Sequence, residues 1–235
     1  MSAPAAKRAV VLASGGVDSS TCLGLAVSRL GAENVCAVSV FYGQKHTREL
    51  ASAAAVADHY GVAHKTLDLS GVLKDSRSAL MANSSAEIEH ESYAQQIAEH
   101  GEGPVSTYVP FRNGLMLSAV SAFAMTIFPD EAITVYLGAH GDDAAGDAYP
   151  DCSIEFLEAM GSAINIGTYG LVRLSAPFAG LSKAQVVKRG LELGVPFELT
   201  WSCYEGGDAP CGTCATCLDR AAAFKANGVE DPALS

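Results

Sequence analysis

The sequence is poor in positive charge. Its 235 residues include 15 Lys and Arg against 26 Asp and Glu, a formal charge of −11 at neutral pH, and no basic run stands out. Non-specific nucleic-acid binding rests on Lys and Arg neutralising phosphates, so no nucleic-acid partner is expected. A small anionic ligand is still allowed, because a local site can oppose the global sign. Long hydrophobic runs are missing too. Nothing approaches a membrane span, so no membrane partner is expected. The apolar run 9–13 that follows Lys7 and Arg8 is too short for a signal-peptide core. A reducing, cytoplasmic compartment is the expectation. Internal repeats and low-complexity linkers are absent. Aromatics make up 7% and tryptophan occurs once, yet 49% of residues are hydrophobic and 17% charged. That balance excludes a disordered chain. The length suits one large domain, or one with a small appendage, that needs no disulfides to bury its core.

The apolar residues are patterned as strand–helix alternation. Strands are expected at 8–13, 34–41, 62–69, 132–137 and 171–175. Helices are expected at 19–30, 46–60, 113–128, 154–166, 182–193 and about 218–226, with Gly31 and Gly61 as stops and Ser182 as an N-cap. This alternation implies an α/β fold with a doubly wound parallel sheet. Between 70 and 107 the pattern weakens, with a short helix near 92–100, and reads as an insertion or lid. A loop is expected at 138–151. The simplest partition is a main domain over 1–200 and a cysteine-bearing extension over 201–235.

Seven cysteines cannot all pair within one chain. Cys203, Cys211, Cys214 and Cys217 crowd into C-x7-C-x2-C-x2-C, with Gly206, Gly207, Pro210 and Gly212 supplying turns. Four thiolates match tetrahedral zinc in a closed, structural site. Thiolate softness leaves an iron–sulfur cluster as the competitor. Cys22 and Cys36 fall on a helix and a strand, where free Cys packs as a small hydrophobe. Cys152 falls in a loop.

Ser14-Gly15-Gly16-Val17-Asp18-Ser19-Ser20 stands between the first strand and the first helix. Glycines let the backbone approach a ligand, and a helix N-terminus aims N–H groups and a positive dipole end at it, which suits phosphate. Asp18 can help hold Mg2+ through oxygen. The plain alternative is a tight turn with an Asp/Ser cap. No Gly-Lys-Ser/Thr follows, so the loop is not a Walker loop.

The loop resembles the SGGxDS signature of the N-type ATP pyrophosphatases. Further stretches in register are Tyr42-Gly43-Gln44-Lys45-His46, Tyr108-Val109-Pro110-Phe111-Arg112-Asn113, Tyr149-Pro150-Asp151-Cys152 and Thr200-Trp201-Ser202-Cys203-Tyr204. With the loop and the cysteines, they resemble the 7-cyano-7-deazaguanine synthase family over about 8–224. Two departures are Ala13, where the family often has a larger residue, and Phe111, where many members have glycine.

The resemblance implies a doubly wound ATP pyrophosphatase fold, structural zinc, ATP with Mg2+ as co-substrate and a cytoplasmic homodimer. It implies conversion of 7-carboxy-7-deazaguanine and ammonia to the nitrile through adenylated acid, amide and adenylated amide. It implies a pyrophosphate cradle made by Ala13, Ser14, Gly15, Gly16, Val17, Asp18, Ser19, Ser20, Thr21, Cys22 and Leu23. Asp18, Lys45 and Lys183 are the catalytic candidates. Tyr42, Gln44, Phe111, Arg112, Asn113, Asp151 and Trp201 are candidates for binding the substrate. Each has a plainer alternative: solvated lysines, helix caps for Arg112, Asn113 and Asp151, and core aromatics. His46 and His140 are weaker candidates for proton handling. Two rivals remain, a tRNA-modifying ATP pyrophosphatase and a zinc-bearing module that binds nucleotides without turnover.

Overall fold

The computed structural model describes residues 6–101, 103–143 and 148–234; part of the expected 138–151 loop lies outside them. Five strands form one sheet, β1 (Arg8–Leu12), β2 (Val35–Phe41), β3 (Ala63–Asp68), β4 (Ile133–Tyr136) and β5 (Val172–Ser175), in the order β3-β2-β1-β4-β5. Every neighbouring pair is parallel. The doubly wound sheet expected from the alternation is present. Such sheets bind ligands beyond the carboxyl ends of the strands where the winding reverses, here between β1 and β4.

Alternation along β1 sorts its side chains onto two faces. Ala9 and Val11 pack with Cys22, Leu23 and Ala26 of α1 (Val17–Leu30), Ala53 and Val56 of α2 (Arg48–His59), and Val186 of α7 (Lys183–Leu193). Val10 and Leu12 pack with Leu117, Val120 and Ala124 of α5 (Arg112–Ile127) and Ile164 of α6 (Ile154–Gly167). Each fully buried Val or Leu among them contributes roughly 1.5–3 kcal/mol, and each alanine about a third of that. α7 begins at Ser182 with a full capping box to Gln185, as its sequence predicts.

The segment 70–107 holds two short helices, α3 (Ser70–Leu73) and α4 (Tyr93–His100). It is tied down in its middle. Met81 bridges to Gln44, Lys45 N donates to Leu80 O at 2.8 Å, and Ala82 N donates to Gly43 O at 2.9 Å. α8 (Ala215–Ala226) starts three residues before the expected 218, because Cys214 acts as its N-cap and draws Cys217 into the first turn. Phe111 adopts φ 54°, ψ 28°, the left-handed region that glycine accepts freely and that costs another residue roughly 1–2 kcal/mol. Gly114 lies beneath it; a Cβ there would sit 2.4 Å from the Phe111 ring.

Candidate active site

At the end of β1 the chain turns through Gly15 at φ 83°, and a Cβ there would lie 2.3 Å from Glu49 O and 2.6 Å from Ala53 N. Only glycine fits between β1 and α2 at this point. The turn is held internally. Ser14 N donates to Ser19 Oγ at 3.2 Å, Gly16 N donates to Ser14 Oγ at 3.3 Å, and Ser19 Oγ donates to Gly16 O at 3.2 Å. Trp201 N donates to Gly15 O at 2.9 Å and brings the segment before the cysteines onto the loop. Among the described residues no side chain caps α1, and a helix N-terminus of this kind presents N–H groups toward a ligand.

A cavity opens here, between the ends of β1 and β4. Ala13, Ser14, Gly16, Asp18 and Ser19 line it from the loop, and His140, Asp143, Lys183 and Asp219 from other elements. Lys183 Nζ bonds Asp18 Oδ2, and His140 Nε2 lies 3.3 Å from Asp143 Oδ1 and 3.9 Å from Asp18 Oδ2. Burial pushes the Asp18 carboxyl up, but Lys183 and His140 outweigh it and hold it below the usual carboxylate range. Burial pushes Asp143 and Asp219 above that range. Asp18 Oδ1 is buried and has no hydrogen-bond partner among the described residues, a polar atom that a cation or a water could satisfy.

The other wall comes from β2 and its following turn, α5 and the Trp201 segment. Tyr42, Gln44, His46, Glu49, Arg112, Asn113, Met116, Trp201 and Tyr204 line it. Arg112 Nη1 donates to Tyr42 OH at 3.3 Å, and its guanidinium lies over the Tyr42 ring at 5.5 Å. Gln44 is spent on closing the turn: Oε1 accepts from Tyr42 N at 2.9 Å and Nε2 donates to Val40 O at 3.4 Å. Asn113 Nδ2 donates to Cys152 Sγ at 3.2 Å, and burial pushes that thiol up, so Cys152 stays protonated.

Other candidates sit off the cavity wall. Lys45 is exposed and its Nζ donates to Ala86 O at 2.8 Å. Phe111 is 56% exposed and meets Phe156 edge-on at 5.7 Å. Asp151 is buried and accepts from Asn113 N at 2.9 Å, so it caps α5. Within the loop region Val17, Thr21, Cys22 and Leu23 are fully buried, Ser20 is nearly so, and neither they nor Gly15 line the cavity.

The four cysteines of the C-terminal cluster converge. Their Sγ atoms lie within 4.8 Å of one another. A tetrahedral zinc with bonds of about 2.3 Å places its sulfurs about 3.8 Å apart, so a small contraction closes the site. Cys211 N donates to Cys203 Sγ and Cys214 N to Cys211 Sγ, both at 3.3 Å, the outer-shell bonds that orient thiolate ligands. Ile88 and Ala79 of the 70–107 segment and Trp201 pack on the cluster. His90 lies 2.6 Å from Thr213 Oγ1 and 3.0 Å from Glu205 Oε1.

The family model described as Queuosine biosynthesis protein QueC matches residues 8–228. The chain belongs to that family. A curated relative named 7-cyano-7-deazaguanine synthase, from Archaeoglobus fulgidus, is 42% identical over 229 residues, covering 97% of this chain and 90% of the relative. Another of that name, from Marinobacter nauticus, is 40% identical over 223 residues, covering 95% of each. Among solved structures, NMN synthetase from Francisella tularensis matches at TM-score 0.51 and 13% identity, over 96% of this chain and 79% of that one. That likeness shows a shared fold.

In this QueC-family chain the cavity also holds Glu49, Asp143 and Asp219, which the sequence motifs did not single out, and Tyr204, which ends the Thr200–Tyr204 stretch but was not a site candidate. Glu49 sits in the first turn of α2, three residues past the Tyr42–His46 stretch. An acid just beyond a strand's carboxyl end is a usable signal. Asp219 carries none, because a helix closed by the cysteine cluster delivers it.

Proposed function

We propose that this QueC-family enzyme uses the cavity at the β1/β4 reversal to activate one carbon twice. The family's reaction is an ATP-dependent ligation that turns 7-carboxy-7-deazaguanine and ammonia into 7-cyano-7-deazaguanine. The substrate carboxylate attacks the α-phosphorus of ATP and pyrophosphate leaves. Ammonia displaces AMP, which departs with one carboxylate oxygen, and gives the amide. The amide oxygen then attacks a second ATP, again releasing pyrophosphate. Loss of both protons from nitrogen and of AMP with the second oxygen leaves the nitrile.

Both activations pose one electrostatic problem, the charge on departing pyrophosphate. The observation that carries the proposal is one cavity lined by the Ser14–Ser19 loop, the Asp18–Lys183 pair and, on its other wall, Arg112 and Trp201. The loop hydroxyls, the free N–H groups of α1 and Lys183 bind pyrophosphate. Asp18, Asp143 and Asp219 line the same cavity and are the acids that would hold Mg2+, Asp18 through its unsatisfied Oδ1. Magnesium there would neutralise phosphate charge. Arg112 binds the substrate carboxylate through its planar fork, and Trp201 stacks on the base. Gly15, Val17, Ser20, Thr21, Cys22 and Leu23 shape the cradle from behind. Zinc at Cys203, Cys211, Cys214 and Cys217 is structural, since protein supplies all four ligands.

Among the described residues no helix is long and apolar enough to cross a membrane, and the seven free cysteines fit a reducing cytoplasm. The exposed Ile154, Ile166 and Tyr169, along and just beyond α6, support association of two copies. The charge of −11 fits an enzyme that handles a free base rather than tRNA.

The test is incubation of the full chain with ATP, Mg2+, ammonium and 7-carboxy-7-deazaguanine, with products read by mass spectrometry. Nitrile, with one AMP for each activation, is expected. AMP no higher than without the acid refutes the proposal, and accumulation of amide alone refutes the second activation.

A further inference from the structure

A cavity that takes a triphosphate and a carboxylic acid has no obvious use for an unpaired carboxylate, yet Glu49 lines it. Among the described residues none hydrogen-bonds its carboxylate. The carboxyl feels burial, which pushes it up to about 7, and the opposing charge of Arg112. Among the described residues no ion pair links the two, although both line the cavity. A donor fork and an acceptor pair thus face the same cavity without pairing to each other.

The other acids are committed elsewhere. Asp18, Asp143 and Asp219 share the Lys183 and His140 cluster. Asp151 caps α5 and is off the wall. The main chain of Glu49 and of Trp201 both approach Gly15: Glu49 O would be 2.3 Å from a Cβ on it, and Trp201 N donates to its carbonyl at 2.9 Å. Glu49, Arg112 and Trp201 all line the one cavity.

The guanine-type edge complements this pair. It offers two adjacent donors, N1–H and the 2-amino group, beside one acceptor, O6. Carboxylates accept from such donors, and Arg donates to O6. We propose that Glu49 determines specificity for the guanine-type base, accepting N1–H and the 2-amino group while Arg112 serves O6 and the neighbouring 7-carboxylate. This rests on the substrate assigned under Proposed function. A half-buried carboxylate is retained when its ligand brings N–H donors, and it rejects a base that presents an acceptor at the same place.

The test is steady-state AMP release by wild type, Glu49→Gln and Glu49→Asp, with 7-carboxy-7-deazaguanine and with its 2-deamino analogue. Glu49→Gln keeps shape and loses charge. The expected result is a rise of about 10- to 100-fold in KM for the acid, the size of a lost charge-assisted pair, with KM for ATP and ammonium within about twofold. Wild type should prefer the amino-bearing acid, Glu49→Gln should lose that preference, and Glu49→Asp should keep part of it. An unchanged KM for the acid, an unchanged preference, or a rise in KM for ATP or ammonium instead overturns the assignment. If Glu49→Gln does not fold, by circular dichroism, Glu49→Asp with the analogue pair decides. Wild type that releases no AMP with either acid refutes the underlying function, a result distinct from loss of the preference alone.

Discussion

Asp231→Asn should destabilise the protein severely although Asp231 lies far along the chain from the phosphate loop. Arg220, on α8, is 6% exposed and Asp231 is 8% exposed. Arg220 Nε donates to Asp231 Oδ2 at 2.6 Å and Nη2 to Oδ1 at 2.8 Å, a bidentate pair. The remaining donors reach Thr200 Oγ1 at 2.8 Å, Phe197 O at 3.1 Å and Ser202 Oγ at 3.3 Å. Thr200 and Ser202 flank Trp201, whose N–H holds Gly15. Removing the carboxylate charge leaves a buried guanidinium without its counter-ion, which costs about 3–5 kcal/mol. A protein of this size loses roughly 2–4 °C of Tm per kcal/mol, so the expected fall is about 6–20 °C. The assay is urea denaturation and differential scanning calorimetry of wild type, Asp231→Asn, Arg220→Met and the double variant. The double should cost at least about 2 kcal/mol less than the sum of the singles, since contacting charges couple. A single variant within about 1 kcal/mol of wild type, or strict additivity, would refute the reasoning.

Two further outcomes are expected. Asp18→Asn keeps the shape of the loop and removes the charge bound to Lys183, so AMP release should fall about 100-fold or more with an unchanged circular dichroism spectrum; normal turnover would sink the role of the Asp18–Lys183 pair. Cys214→Ser should lower zinc content, by elemental analysis, together with the urea midpoint, because structural zinc contributes folding energy; zinc loss with no change in midpoint would contradict a structural site, and iron in place of zinc would favour the cluster alternative.

Much of the fold was legible because strand–helix alternation with buried β-branched runs permits few topologies. The glycine loop was legible because Gly15 must occupy a positive φ against α2. The start of α8 was not, because the cap is a cysteine whose neighbours in space come from 203 and 211. The glycine often found at position 111 in the family has its explanation in the left-handed backbone there, which Phe111 keeps in this chain. Lys45 shows the limit of motif arguments. Its place after β2 suggested a cavity cation, but the tied-down 70–107 segment offers its Nζ the carbonyl of Ala86.

By itself the sequence determined the parallel sheet, the glycine loop at its reversal and the four-thiol cluster, since each rests on local periodicity or short spacing. Tertiary structure alone decided which side chains share the cavity. Glu49, Asp143, Tyr204 and Asp219 come from four separate segments, and Asp151 is drawn away to cap α5. Such choices depend on long-range packing between elements, which residue spacing along the chain does not encode.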